Sequence, residues 1–172
     1  MERANCLTKE EGKSKMEMNM NQDIEIVKER QKVFTYTTST QWIGDEIGSL
    51  HAEGKNSLTV SSPPEFKGTP NLWTPEEVFV GAIEMCHMLT FLTFARKRRL
   101  NIQSYSSRAE GRLELVDGAY RFTHVTIMAT IRVGDPAEVE LVQNLVDDVK
   151  DRCLISNSVS AAVSFQPALL VR

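Results

Sequence analysis

Cysteine is scarce in this chain, with three in 172 residues. Three cannot build the disulfide framework of a small secreted domain, and an odd number leaves one thiol without an intramolecular partner. An excess of one charge is also missing. Lys and Arg number 20 against 23 Asp and Glu, net −3, so the basic footprint of a nucleic-acid binder is absent. No long apolar run is free of polar side chains. The strongest, 78–95, holds Glu84 and His87 and passes directly into Arg96-Lys97-Arg98-Arg99. Such a run reads as a core helix and not as a membrane span, and its basic end as a solvated helix terminus. The opening residues, Met1-Glu-Arg-Ala-Asn-Cys-Leu, lack the charged-then-apolar order of a secretory leader, which points to the cytoplasm. What is present is an ordinary globular composition, long enough for one domain with its own core.

Residues 1–31 stand apart. They contain no aromatic side chain and mix charges of both signs with Met, Asn and Gln. They cannot bury enough apolar surface to offset their ordering entropy, which predicts a mobile tail ahead of a domain over 32–172. Cys6 lies in that tail.

From residue 32 the texture is that of strands. Phe34–Trp42 is β-branched and aromatic, Ile47–Ala52 and Ser57–Ser61 follow across the turn 53–56, and Pro63-Pro64 ends the pairing. Thr74-Pro75-Glu76-Glu77 then starts a helix: Thr74 caps, Pro75 suits the first helical position, and Glu77 closes a capping box. The helix is predicted over 75–98, and its apolar positions go nearly all round, so it is buried on several sides. Ile102–Leu115 and Tyr120–Val133 form a hairpin about Asp117-Gly118. Asp135-Pro136 opens a second, amphipathic helix ending near Cys153, and Ser160–Val171 reads as a last strand. The class is α+β, an antiparallel sheet wrapped around a long buried central helix. One small sheet covers one face of that helix. A symmetric homodimer in which two such helices pack together covers the rest.

Cys86 falls in mid-helix beside His87, and Cys153 follows the charged run 147–152. The plain reading of each cysteine is a small buried hydrophobe. Three chemical readings compete with it. His87 is a poor base for its neighbour, because adjacent helical side chains point about 100° apart. A zinc site lacks a close pair such as Cys-x-x-Cys. A Cys-His-Asp hydrolase lacks a recognisable third group. His51 and His124 lie in predicted strands and read as polar faces of a sheet.

The segment Trp73-Thr-Pro-Glu-Glu-Val-Phe-Val-Gly-Ala-Ile-Glu-Met-Cys86 resembles the motif that carries the first cysteine of the osmotically inducible protein C and organic hydroperoxide resistance (OsmC/Ohr) superfamily. There a Pro-Glu opens the helix and the reactive Cys follows ten positions after the Glu, the spacing of Glu76 and Cys86 here. Cys153-Leu-Ile-Ser156 is similar to the family's Cys-Pro-x-Ser segment, and the element order agrees from Phe34 to Val171. The resemblance implies an OsmC-like fold in an intertwined homodimer with sites at the subunit interface. It also implies a thiol-dependent peroxidase that needs no bound metal, flavin or haem. Cys86 attacks an organic hydroperoxide and becomes a sulfenic acid, Cys153 resolves it as a disulfide, and an external dithiol reduces that disulfide. In one unbroken helix Glu76 and Cys86 stand about 15 Å apart along the axis. If Glu76 takes part, it therefore reaches the cysteine of the partner subunit, or the helix breaks, with Gly81 the place for a break. Otherwise Glu76 simply complements the helix dipole.

Two departures are visible. Peroxidatic members carry an Arg in an early strand or turn, where it lowers the thiol pKa; the corresponding stretch here, Trp42–Leu50, has Asp45 and Glu46 instead. Lys55, Lys67 and His87 are the candidates to replace it. Leu154 stands where the family has Pro after the second cysteine. An OsmC-like dimer that binds a small hydrophobic ligand without efficient peroxidase activity is the competing expectation.

Overall fold

A computed structural model describes residues 32–171. The predicted tail over 1–31, with Cys6, lies outside the described residues. Among the described residues, the helices and strands fall within 39–171. Strands β1 (Ser39–Gly44), β2 (Ile47–His51) and β3 (Leu58–Ser61) make one three-stranded sheet. Helix α1 (Pro75–Lys97) follows, then the hairpin of β4 (Ile102–Val116) and β5 (Ala119–Val133), helix α2 (Val139–Arg152) and strand β6 (Ala162–Val171). Strands β4, β5 and β6 make a second sheet, with β5 in the middle.

The α+β class and the element order stand as the sequence predicts. One pairing differs. β5 and β6 run parallel, with Ile127 opposite Phe165, so the second sheet is mixed and not wholly antiparallel. Helix α2 lies between these strands in the chain, and a crossover through a helix returns the chain in the same direction. β1 also begins later than the predicted Phe34. Its partner β2 stops at His51, opposite Ser39, so residues 34–38 have nothing to pair with in that ladder.

The hairpin turn shrinks to Asp117-Gly118, both in the left-handed region (φ 51° and 79°), the geometry of a two-residue loop that continues the strand twist. Along β5, Val125, Ile127, Ala129, Ile131 and Val133 alternate inward and are buried. Against them pack Val142, Leu145, Val146 and Val149, one stripe of α2 at helical spacing. At Gly111 α1 packs tightly on the sheet. A Cβ there would stand 2.5 Å from Val80 Cγ2, so any side chain would push the helix off β4.

Within one chain α1 buries a single stripe, Ile83, His87, Phe91 and Ala95. Full burial of a side chain the size of Ile83 or Phe91 contributes about 1.5–3 kcal/mol. The opposite flank is apolar and open: Met85 is 56% exposed and Leu89 58%. The all-round apolar pattern thus exceeds what the chain's own sheet covers.

Candidate functional site

The capping box forms as its residues predict. Thr74 Oγ1 accepts from the Glu77 N–H at 3.1 Å, and the Thr74 N–H donates to Glu77 Oε2 at 3.0 Å. This sets the phase of α1, which runs unbroken through Gly81. His87 therefore falls on the buried stripe, 1% exposed, and Cys86 on the half-buried flank beside it. The Cys86 Sγ lies 4.0 Å from Thr90 Oγ1, one turn further on.

Cys153 is the residue that ends α2. Its N–H closes the last turn onto Val149 O at 3.1 Å, and its backbone turns to an extended conformation. The loop beyond is tied by Asn157 N–H to Cys153 O at 3.0 Å, Asn157 Nδ2 to Asp151 O at 2.9 Å and Ser158 Oγ to Leu154 O at 2.8 Å. These bonds hold the turn without the proline of the family pattern, and Leu154 itself points outward.

The Cys153 thiol is fully buried, with the Cys86 thiol near enough to act on it. Burial pushes the Cys153 thiol above its ordinary range, and the nearness of Cys86 adds to that rise. The hydroxyl and backbone N–H of Ser156 face the same sulfur and act in the opposite direction. Ser156 also reaches the other way, its Oγ standing 2.9 Å from His87 Nε2. The His87 ring packs at 5.3 Å from that of Phe165, and burial pulls its pKa below 6.5. His87 is thus neutral at neutral pH and does not supply the cation that Cys86 lacks. Its Nδ1 is buried without a hydrogen-bond partner.

Glu76 is not brought to the thiols. The helix between them is unbroken, which leaves about 15 Å along the axis and excludes the break at Gly81. Glu76 Oε2 is buried without a partner. It borders two hollows, one of about 710 Å³ that also meets Glu65, Glu77, Glu84 and Glu110, and one of about 360 Å³. Neither Lys55 nor Lys67 lines them, but Arg121 lines the smaller. The acidic turn after Trp42 has a local role, with Trp42 Nε1 donating to Asp45 O at 2.8 Å.

Sequence reasoning missed Arg121 and the link from His87 to Ser156. Ser156 had a signal, since it completes the Cys-x-x-Ser match. Its bond to a side chain 69 positions earlier had none. Among the described residues no three His, Cys, Asp or Glu side chains converge on a point that could hold a metal ion.

The family described as OsmC-like protein matches residues 68–167, a span containing Glu76 and both of these cysteines. Among known proteins, the uncharacterized protein YmaD of Bacillus subtilis (strain 168) is 21% identical over 130 residues, 73% of this chain and 86% of that protein. Among solved structures, the OsmC-like protein of unknown function VCA0330 from Vibrio cholerae matches with a TM-score of 0.73 at 21% identity. The match covers 79% of this chain and 100% of that one. The organic hydroperoxide resistance protein OsmC from Legionella pneumophila gives 0.63 at 20% identity, over 81% of this chain and 98% of its own. The organic hydroperoxide resistance protein OhrB of Bacillus subtilis gives 0.58 at 18%, over 81% and 100%. At these identities the likeness carries the fold.

Proposed function

The chain belongs to the OsmC-like protein family, and on that premise we propose that it is a thiol-dependent peroxidase that reduces organic hydroperoxides in defence against oxidative stress. The observation that carries this reading is the nearness of the Cys86 thiol to the buried thiol of Cys153. Cys86, the more accessible of the two, attacks the peroxide O–O bond as thiolate. Its sulfur takes the terminal oxygen to become a sulfenic acid, and the alkoxide released from the broken O–O bond takes up a proton and leaves as the alcohol. Cys153 displaces the sulfenic oxygen as water and forms the disulfide, which a dithiol from outside the protein reduces by exchange.

In this reading the working unit is a cytoplasmic homodimer. The exposed apolar flank of α1, with Met85 and Leu89, packs against its copy. Glu76 then serves the Cys86 of the partner subunit, which accounts for a buried carboxylate oxygen that finds no partner among the described residues.

The test is non-reducing peptide mapping after one equivalent of an organic hydroperoxide, beside Cys86→Ser. The expected product is a Cys86–Cys153 disulfide that forms rapidly in the unmutated chain and is absent from the variant. A Cys86 that stays reduced removes the reading.

A second reading is favoured by the carboxylates around the larger hollow, which has no basic side chain in its lining. Negative charge raises a thiol pKa and lowers its thiolate fraction. Such a site suits an OsmC-like dimer that binds a small hydrophobic ligand without efficient peroxide chemistry. The pH dependence of Cys86 alkylation separates the two: a thiol pKa well below about 8.5 supports catalysis, and one above it supports binding.

A further inference from the structure

We propose that the hydrogen bond between His87 and Ser156 is a latch that seats the turn after Cys153 against α1, so that this thiol stays within reach of Cys86. The latch deepens the thiol-pairing reading, rests on it, and adds two positioning residues. Its halves lie on separate elements: His87 on α1, and Ser156 on the turn that follows α2. In the chain His87 directly follows Cys86, and Ser156 stands three places after Cys153. One bond thus joins the neighbourhoods of both thiols.

The turn has little else to hold it on α1. Its other hydrogen bonds run within itself or back to α2: Asn157 N–H to Cys153 O, Asn157 Nδ2 to Asp151 O, Ser158 N–H to Ile155 O and Ser158 Oγ to Leu154 O. Those bonds shape the turn and do not reach α1. Packing does not fix it either, because Leu154, Ile155, Asn157 and Ser158 are exposed and Ser156 alone of 154–158 is partly buried. Ser156 Oγ stands 2.9 Å from His87 Nε2. Among the described residues this is the one hydrogen bond that ties 154–158 to any element but α2. Cys153 lies at the point where the backbone leaves the helix and becomes extended, so a turn that lifts from α1 carries its side chain along.

The His87 side is built for direction. It sits on the buried stripe of α1 with Ile83, Phe91 and Ala95, 1% exposed, where every other member is apolar. Burying an imidazole among such neighbours is costly unless it is bonded, and Ser156 is its one hydrogen-bond partner, since Nδ1 has none. An apolar side chain would fill the space beside Phe165 without that cost. What the imidazole adds is a directional bond that either neutral tautomer can make: Nε2 accepts from the Ser156 hydroxyl or donates to it.

Seating matters because disulfide closure is a reaction between two groups of one chain. A misplacement of about 1 Å can slow such a step about a hundredfold. Loss of the latch therefore slows closure and leaves the first reaction of Cys86, which needs no turn, as it was.

The experiment uses the full chain with Cys6→Ser and dithiodipyridine in place of a peroxide. The Cys86 thiolate displaces one thiopyridone and forms a mixed disulfide. The Cys153 thiolate then attacks the Cys86 sulfur, closes the Cys86–Cys153 bond and releases the second thiopyridone. Ser156→Ala and His87→Phe are expected to slow the second release about tenfold or more and to leave the first within about twofold. The double variant is no slower than the slower single one, because both remove the same bond. His87→Gln offers Ser156 a donor or an acceptor, as the imidazole does, and brings the second release to within about threefold of the wild-type rate. Ser156→Ala lies on a partly exposed turn and keeps the fold, so its result stands even if His87→Phe does not fold. A second release at the wild-type rate in Ser156→Ala overturns the latch. Equal slowing of both releases does so too, and so does a His87→Gln no faster than His87→Phe. The reagent needs no peroxide chemistry. A chain that forms no sulfenate with a hydroperoxide yet shows these variant effects loses the peroxidase reading and keeps the latch. One that forms the disulfide with a hydroperoxide, and closes at the wild-type rate in Ser156→Ala, keeps that reading and loses the latch.

Discussion

The two ends of α1 are built to different degrees. Around Cys86 and His87 a single chain supplies a finished environment: Cys153 is buried nearby, Ser156 bonds His87, Phe165 closes the wall, and a bonded turn holds the loop. Around Glu76 the same helix ends in open hollows, with a buried carboxylate oxygen unpaired and Arg121 bonded to Val116 O at 3.3 Å on its own hairpin. The rigid helix prevents the two ends from meeting within the chain. In the proposed reading, thiol pairing is thus a property of the protomer. Anything Glu76 does to a thiol is a property of an assembly.

The largest effects separate these halves directly. Cys86→Ser abolishes hydroperoxide turnover, measured by substrate loss in the presence of a dithiol. Cys153→Ser stops after one equivalent, with a sulfenate that a 1,3-diketone traps. In the proposed reading Glu76→Gln lowers turnover about a hundredfold, the lower end of the range for loss of one positioned acid–base group. It leaves the rate of dithiodipyridine-driven pairing of Cys86 with Cys153 unchanged. A Glu76 variant that slows that pairing breaks the division between the two ends.

A second effect belongs to the thiol half alone. His87 is held below 6.5 by burial, and unfolding returns it to its ordinary value with uptake of a proton. Stability is therefore full above about pH 6.5 and falls as pH drops through the folded value, with a slope of at most about 1.4 kcal/mol per pH unit for one group. Cys153 works in the opposite sense. Its thiol is held above 9.0, so its contribution is full below that pH and is lost as pH rises through the folded value. Urea midpoints measured across pH check both limbs: His87→Phe flattens the acid one, and Cys153→Ser flattens the alkaline one.

Legibility in the sequence did not follow the division between the two ends, and for physical reasons. The helix start at Thr74, the turn at Asp117-Gly118 and the inward alternation of β5 are local signals, each set by a few adjacent side chains. The end of α2 at Cys153 was readable because the amphipathic period stops there. The parallel pairing of β6 was implicit in the strand–helix–strand order but depends on where a crossover lands. Burial of Cys153 agrees with the plain reading of that cysteine despite the charged run before it, since Asp147, Asp148 and Asp151 face away while Val146 and Val149 face in. The contact of His87 with Ser156 has no local signal at all. It arises where α1, β6 and the turn after α2 converge.

The smallest effect tests whether the two ends of α1 are energetically separate. Thr74 caps the helix at the Glu76 end, and Thr74→Ala removes the acceptor at 3.1 Å from the Glu77 N–H. The expected loss is about 1 kcal/mol of stability, read from a denaturant midpoint at unchanged slope. Three turns of helix lie between that cap and His87, and Ile83 and Phe91 anchor those turns in the core. Fraying of the first turn therefore stops before Cys86, and the rate of Cys86–Cys153 pairing stays at the wild-type value. A pairing rate that falls in step with stability means that the cap sets the phase of the helix at the thiols, so that the finished half depends on the unfinished one.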